Sequence, residues 1–146
     1  MNATETIFAI ALASNLNPQQ NFKFAYQQLN AWGSVCFSPI YLIPCRDGIG
    51  ADYYNAACLI KSTRNVNEML MALKQVEHAS GRVRPSHQIS LDVDLIAWGK
   101  DLHHMQFNAK KLPLALDVKI PLADIWQHDD LSHPDHEFPI VVFESK

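Results

Sequence analysis

Strand-like and helix-like hydrophobic patterns alternate along the first 99 residues, and their order limits the possible folds more than any other feature. Short apolar runs typical of strands occupy residues 6–13, 34–44, 53–61 and 91–98. Stripes of apolar residues at helical spacing follow the first and the third of these runs. The order βαββαβ predicts an α+β, ferredoxin-like fold with an antiparallel sheet, two helices on one face and a C-terminal extension.

Asparagines and a proline mark the expected starts of the two helices. Asn17 is a candidate cap of the first helix, because Pro18 suits a first helical turn. Either Asn65 or Asn67 is expected to cap the second helix in the same way.

The remaining boundaries are less regular. Pro39 has no amide hydrogen, so it must bend the second strand or place it at an edge of the sheet. Beyond Gly99 the pattern predicts only a short helix around residues 112–116 and a late edge strand at 138–144.

The composition limits the classes of protein to which the chain can belong. Its 146 residues, with eight prolines and only five glycines, are typical of one ordered domain spanning residues 1–146. The formal charge of −3 gives no overall attraction to nucleic acid or to anionic membranes. The three cysteines lack CxxC spacing, and no signal peptide or apolar run of roughly 20 residues is present. These features predict a cytoplasmic protein, of undetermined oligomeric state, without disulfides or a membrane span.

Two aspartates alternate with apolar residues inside the fourth predicted strand. Because side chains alternate across a strand, Asp92 and Asp94 are expected on one side and Leu91, Val93 and Leu95 on the other. Paired carboxylates suit Mg²⁺, which leaves its other positions to water and phosphate oxygens, as phosphoryl transfer requires. The alternative is a pair of solvated aspartates on an open sheet face.

Cationic and aromatic residues accompany the acidic pair. Arg82 and Arg84 follow the second helix and offer positive charge to phosphate oxygens. Tyr53 and Asn55 share one side of the third strand, where they can stack on a flat ring and pair with its polar edge. Glu77, near Lys74 on the helix, is equally consistent with an ordinary surface pair.

Several of these residues belong to segments that occur together in one enzyme family. The segments are Ser14-Asn15-Leu16, residues 52–57 (DYYNAA), Glu77 with residues 81–84 (GRVR), residues 91–96 (LDVDLI) and residues 121–125 (PLADI). In this order they resemble the 6-hydroxymethyl-7,8-dihydropterin pyrophosphokinases, and the chain is identified as similar to a divergent member of that family.

The resemblance implies an enzyme that moves pyrophosphate from ATP onto the hydroxymethyl group of a reduced pterin, releasing AMP, in folate biosynthesis. It implies that Asp92 and Asp94 hold two Mg²⁺ ions with ATP, and that Arg82 takes part in catalysis. Pro44, Tyr53 and Asn55 would bind the pterin. The nucleotide would be seated by Glu77, Arg82 and Arg84.

The chain also departs from the family pattern. Ile89 stands where the family has an arginine ahead of its first aspartate, with His87 as a partial substitute. Residues 108–117 (NAKKLPLALD) lack the aromatic and arginine residues that the family places there, although Phe107 is near and Lys110 and Lys111 add charge.

Two alternatives to a working kinase therefore remain at the level of sequence. One is a family member without catalysis that binds a ligand or a protein partner. The other is an unrelated ferredoxin-like domain, favoured if the aspartates point away from a cleft shared with Arg82 and Tyr53.

The histidine-rich tail at residues 128–136 carries metal-ligand residue types, but its spacing matches no standard zinc pattern.

Overall fold

A computed structural model describes residues 4–44, 51–83, 86 and 88–143, and its elements follow the predicted order. The helices are α1 (Pro18–Trp32), α2 (Val66–Ala79) and α3 (Leu116–Ala123). The strands are β1 (Thr6–Ser14), β2 (Ser34–Phe37), β3 (Ile40–Ile43), β4 (Tyr53–Ser62), β5 (Asp92–Gly99), β6 (Met105–Phe107) and β7 (Ile140–Val141). Short 3₁₀ helices occupy Ala109–Lys111 and Asp129–Leu131.

The strands form one antiparallel sheet in the order β6-β5-β1-β4-β3-β7, with β2 also paired to β4. One face of β1 presents Phe8, Ile10 and Leu12 to a core that includes Phe22 of α1 and Met69 of α2. Burial of these large side chains holds both helices on that face. The predicted α+β, ferredoxin-like fold is confirmed.

The second predicted strand is split at Ser38 and Pro39, as the missing amide hydrogen of proline requires. The Ser38 amide donates to the Ala57 carbonyl, and the Ala57 amide donates to the Ser38 hydroxyl, both at 2.8 Å. The serine side chain thus supplies the acceptor that a regular ladder would take from the backbone. β2 and β3 stay paired to β4 on either side of this interruption.

The opposite face of the sheet is floored by small side chains and covered by the C-terminal extension. Ala9, Ala11 and Ala57 lie in a second buried cluster with Leu122 of α3 and Trp126. The predicted position of this helix, residues 112–116, was wrong, because α3 begins only at Leu116. Pro113 disfavours helical geometry in the residue before it, and the buried apolar residues of the helix lie farther along the chain.

The two helix caps differ. Asn65 forms the predicted cap of α2, because its side chain accepts from the Glu68 amide while the Glu68 carboxylate accepts from the Asn65 amide. The predicted side-chain cap at Asn17 was wrong: Asn17 has φ 48° and makes no such bond. Its carbonyl instead accepts from the Asn21 amide at 3.0 Å.

The extension also supplies the late edge strand expected from the sequence. β7 pairs with β3 at the edge of the sheet, but it is confined to Ile140 and Val141. Among the described residues, no helix has the length and apolar character needed to cross a membrane.

Candidate active site

The two aspartates of β5 lie on the sheet face opposite the α1 and α2 core. Asp92 is opposite Ala13 of β1 and Asp94 is opposite Ala11, while Val93 between them is buried among the helices. The side chains of Asp92 and Asp94 are 31% and 35% exposed. Both carboxylates can therefore reach a ligand above the alanine floor of β1.

The same face carries the aromatic and amide side chains of β4. Ala13 is opposite Asn55 on one side and Asp92 on the other, so these three residues form one row across the sheet. Two strand spacings separate the ends of that row by about 10 Å. Tyr53 lies two residues before Asn55 and shares its face. A flat ligand held by Tyr53 and Asn55 would thus lie within molecular reach of the carboxylates.

Each aspartate contacts a cation of the chain itself. Arg82 Nε lies 3.7 Å from Asp92 Oδ1, and the arginine side chain is only 8% exposed. Lys111 Nζ lies 2.9 Å from Asp94 Oδ1, with both side chains about one-third exposed. Arg82 was expected beside the acidic pair, whereas the contact of Lys111 was not anticipated.

Asn108 positions Lys111 so that this residue, 17 positions after Asp94 in the chain, can reach the aspartate. Its backbone amide donates to the Ile96 carbonyl at 2.8 Å, and its side-chain amide donates to the Leu95 carbonyl at 2.9 Å. Its side-chain oxygen accepts from the Lys110 amide and caps the 3₁₀ helix. These bonds fasten the helix to the edge of β5 and direct Lys111 toward the aspartate.

Glu77 binds the edge of β5 from α2. Its carboxylate accepts a hydrogen bond from the Val93 amide at 3.0 Å, between the two aspartates in sequence. The hydroxyls of Ser80 and Ser90 lie 2.8 Å apart and join the end of α2 to the approach to β5. Glu77 thus positions the strand that bears the acidic pair.

The Ser14-Asn15-Leu16 segment holds the loop before β5. The Asn15 amide donates to the Ile89 carbonyl at 2.9 Å, and the Asn15 side-chain oxygen accepts from the Ile89 amide. The Ser14 hydroxyl contacts the same carbonyl at 3.4 Å. Ile89 is clamped through its backbone and is only 6% exposed, so its side chain packs inward.

A cavity of about 340 Å³ opens beside Asp94, between α2 and β5. Leu70, Leu73 and Trp98 provide an apolar wall. Asp94, Glu77 and three lysines, Lys74, Lys110 and Lys111, provide charge. An apolar wall beside a cluster of cations is suited to a ligand that combines a flat base with phosphates.

Comparison with known proteins identifies the family of the chain. The family model described as 7,8-dihydro-6-hydroxymethylpterin-pyrophosphokinase matches residues 9–134, which is most of the chain. The chain belongs to this family. A search of curated proteins produced no match.

Family membership excludes the unrelated ferredoxin-like domain considered from the sequence. The geometry points the same way, because Asp92 contacts Arg82 and shares a sheet face with Tyr53.

Three further residues named from the sequence lie at the edges of the described segments or outside them. Pro44 is exposed directly after β3, next to Ile43, which pairs with Tyr53. Arg84 and His87 lie outside the described residues.

The region where pyrophosphokinases carry a second aromatic ring is filled differently in this chain. Phe107 stacks on Trp126, with ring centroids 5.4 Å apart, and meets the edge of His128. It is therefore packed within the extension, so it does not supply the missing ring.

Asp124, in the segment of residues 121–125 (PLADI), fastens α3 to the sheet. The Tyr41 hydroxyl donates to its carboxylate, and Tyr41 of β3 is opposite Asn55. Burial, followed by the hydrogen bond and the charge of Asp124, raises the pKa of Tyr41 from 10 to about 12.

Tyr41→Phe is expected to reduce stability at neutral pH by about 1 kcal/mol and to flatten its alkaline decline. The raised pKa means that the folded protein holds the phenolic proton more tightly than the unfolded chain. This stabilisation is fully present below about pH 10 and is lost as the pH rises through about 12. Urea unfolding from neutral pH to about pH 11 should show a steeper decline for the wild type. Parallel declines would contradict this account.

The histidine-rich tail does not gather into a metal site in the structure. His128 Nδ1 accepts from the Asp130 amide, and His136 Nδ1 accepts from the Phe138 amide. Across residues 4–44, 51–83, 86 and 88–143, no group of three or more histidine, cysteine, aspartate or glutamate side chains is placed to hold a metal ion.

Proposed function

We propose that this chain transfers pyrophosphate from ATP to the hydroxymethyl group of 6-hydroxymethyl-7,8-dihydropterin, releasing AMP, as a step of folate biosynthesis. The observation that carries the proposal is the acidic pair of β5, which shares a sheet face with Tyr53 and Asn55 and of which Asp94 lines the cavity beside α2. Family membership gives this arrangement its chemical interpretation.

The reaction balances without any further reactant. The hydroxymethyl oxygen forms a bond to the β-phosphorus of ATP, and the bond from that phosphorus to the oxygen shared with the α-phosphorus breaks. AMP leaves with that electron pair, and the hydroxyl proton passes to solvent. The protein's task is to align the two substrates and to stabilise the negative charge of the phosphates.

The donor set of the site fits Mg²⁺. It offers two carboxylate groups with hard oxygen donors on one face and, among the described residues, no third acidic, histidine or cysteine ligand. Water and substrate phosphates would supply the remaining ligands of the ion. Two bound Mg²⁺ ions would supply Lewis-acid stabilisation of the phosphate oxygens, with Asp92 and Asp94 as their ligands.

The cavity between α2 and β5 fits the nucleotide. Its apolar wall of Leu70, Leu73 and Trp98 suits the base, while Lys110 and Lys111 lie beside Asp94, where the phosphates would meet the metal. Arg82 supplies a fixed positive charge next to Asp92. These cations provide positive charge for the phosphates, because position 89 is an isoleucine and not an arginine.

Tyr53 and Asn55 of β4 fit the pterin. Tyr53 offers a ring for stacking, and Asn55, only 4% exposed, offers an amide that can both donate to and accept from a pyrimidine edge. Ala13, which is partly buried, is the small residue that separates Asn55 from Asp92 across the sheet. Pro44 borders the same end of the sheet.

The first test is whether AMP formation depends on the pterin. With enzyme, Mg²⁺ and ATP, AMP should appear only when 6-hydroxymethyl-7,8-dihydropterin is added. The absence of AMP at high enzyme concentration would end the catalytic proposal.

Tyr53→Ala should raise the KM for the pterin about tenfold or more, because a stacked ring is lost.

A second candidate function is favoured by the inward packing of Ile89 and by the missing second aromatic ring. A chain with those losses could bind nucleotide or pterin without turning them over and act as a ligand-binding or protein-interaction module. Calorimetry separates the two: binding of Mg²⁺-ATP and pterin without AMP formation would favour the module.

A further inference from the structure

We infer that Lys111 is a built-in competitor for the metal site, which makes binding of the divalent cation dependent on the nucleotide. The Lys111 ammonium stays paired with the Asp94 carboxylate until the nucleotide binds. It then moves from the carboxylate to the phosphate oxygens. The inference rests on the proposed function and concerns how that site selects what enters it.

The charge balance of the site is the first observation. In the described part of the chain, Arg82 lies beside Asp92 and Lys111 lies beside Asp94, so each carboxylate already has a cation next to it. A dication alone would therefore be opposed by the positive charges of those two side chains. A dication that arrives with a triphosphate brings its own counter-charge, and the phosphates offer new partners to the lysine.

The second observation is that the two cations differ in freedom to move. Arg82 is 8% exposed, and its Nη1 also donates to the Val83 carbonyl at 2.6 Å, so it stays in place. The Lys111 side chain is 38% exposed, and its ammonium is at the end of a flexible stem. Of the two, only Lys111 can leave its carboxylate without breaking a buried contact.

The third observation is that Lys111 is held close to Asp94 by its backbone. Asn108 fastens the 3₁₀ helix to β5, so the ammonium returns to Asp94 Oδ1 with little loss of chain entropy. A metal ion bound to that oxygen would meet the ammonium at close range, and the two would repel each other. The cavity that Lys111 lines provides the space into which the lysine can turn.

The experiment measures Mn²⁺ binding by electron paramagnetic resonance, with and without the α,β-methylene analogue of ATP. In Lys111→Met, affinity for Mn²⁺ alone should rise at least about fivefold, because a competing ion pair is removed. Affinity for Mn²⁺ with the analogue should fall about fivefold, because a phosphate partner is lost. Lys110→Met makes the same charge change on the neighbouring residue and should alter affinity for Mn²⁺ alone less than twofold.

The outcomes separate this inference from the function on which it rests. If the wild type binds Mn²⁺ with the analogue but Lys111→Met does not tighten binding of Mn²⁺ alone, the competitor role is overturned and the kinase proposal stands. Equal tightening in Lys110→Met would show a general charge effect and overturn it as well. If the wild type binds no Mn²⁺ with the analogue, both proposals fall.

Discussion

Asp92→Asn and Asp94→Asn are each expected to lower kcat/KM by at least about a hundredfold. Each change removes one of the two charged oxygen donors that face the phosphates, and an amide oxygen is a much weaker ligand for Mg²⁺. Stability should change by less than about 1 kcal/mol in Asp94→Asn, because the ion pair with Lys111 is exposed. Asp92→Asn should lower stability by about 1 kcal/mol or more, because the Arg82 side chain, only 8% exposed, loses its carboxylate partner.

The measurement is steady-state AMP formation beside urea unfolding of the same preparations. Asp135→Asn, which makes the identical change at an exposed position in the tail, is the matched control and should retain full activity. Wild-type turnover in both β5 variants would show that the aspartates do not hold the metal.

Ile89→Arg, which restores the residue type of the family, is expected to destabilise the protein by about 3 kcal/mol or more without increasing turnover. Ile89 is 6% exposed, and Asn15 bonds both its amide and its carbonyl, so the chain cannot easily turn the side chain outward. A guanidinium at this position would be buried in a site that is shaped for an apolar side chain.

Ile89→Val is the size control and should cost about 1 kcal/mol. Urea unfolding measures both variants. Stability equal to that of wild type, together with faster AMP formation, would show that position 89 faces the nucleotide and would contradict the inward packing described above.

The elements on which these predictions depend were largely predictable from the sequence. The apolar runs located β1, β4 and β5, and strand alternation put Asp92 and Asp94 on the face opposite the helix core. Proline chemistry anticipated the break in the second strand. These features depend on local rules of residue spacing and backbone chemistry, which act within a few positions.

Other contacts could not be predicted because they depend on tertiary docking. Lys111 reaches Asp94 only because Asn108 binds the carbonyls at the edge of β5, and no periodic pattern encodes that attachment. The inward position of Ile89 likewise depends on a clamp from Asn15, 74 residues earlier in the chain.

The helix of the extension shows the same limit. A weak apolar pattern near Pro113 suggested a helix too early in the chain. The position of α3 is set by packing of Ile120 on Tyr41 and of Leu122 on the alanine floor.

The most direct measurement of the central claim is phosphorus NMR of a single turnover, with enzyme in excess over ATP and with Mg²⁺ and 6-hydroxymethyl-7,8-dihydropterin present. The account predicts AMP and the pterin diphosphate ester in equal amounts, with both transferred phosphorus atoms still joined to each other. Formation of ADP with inorganic phosphate, or complete survival of ATP, would contradict it.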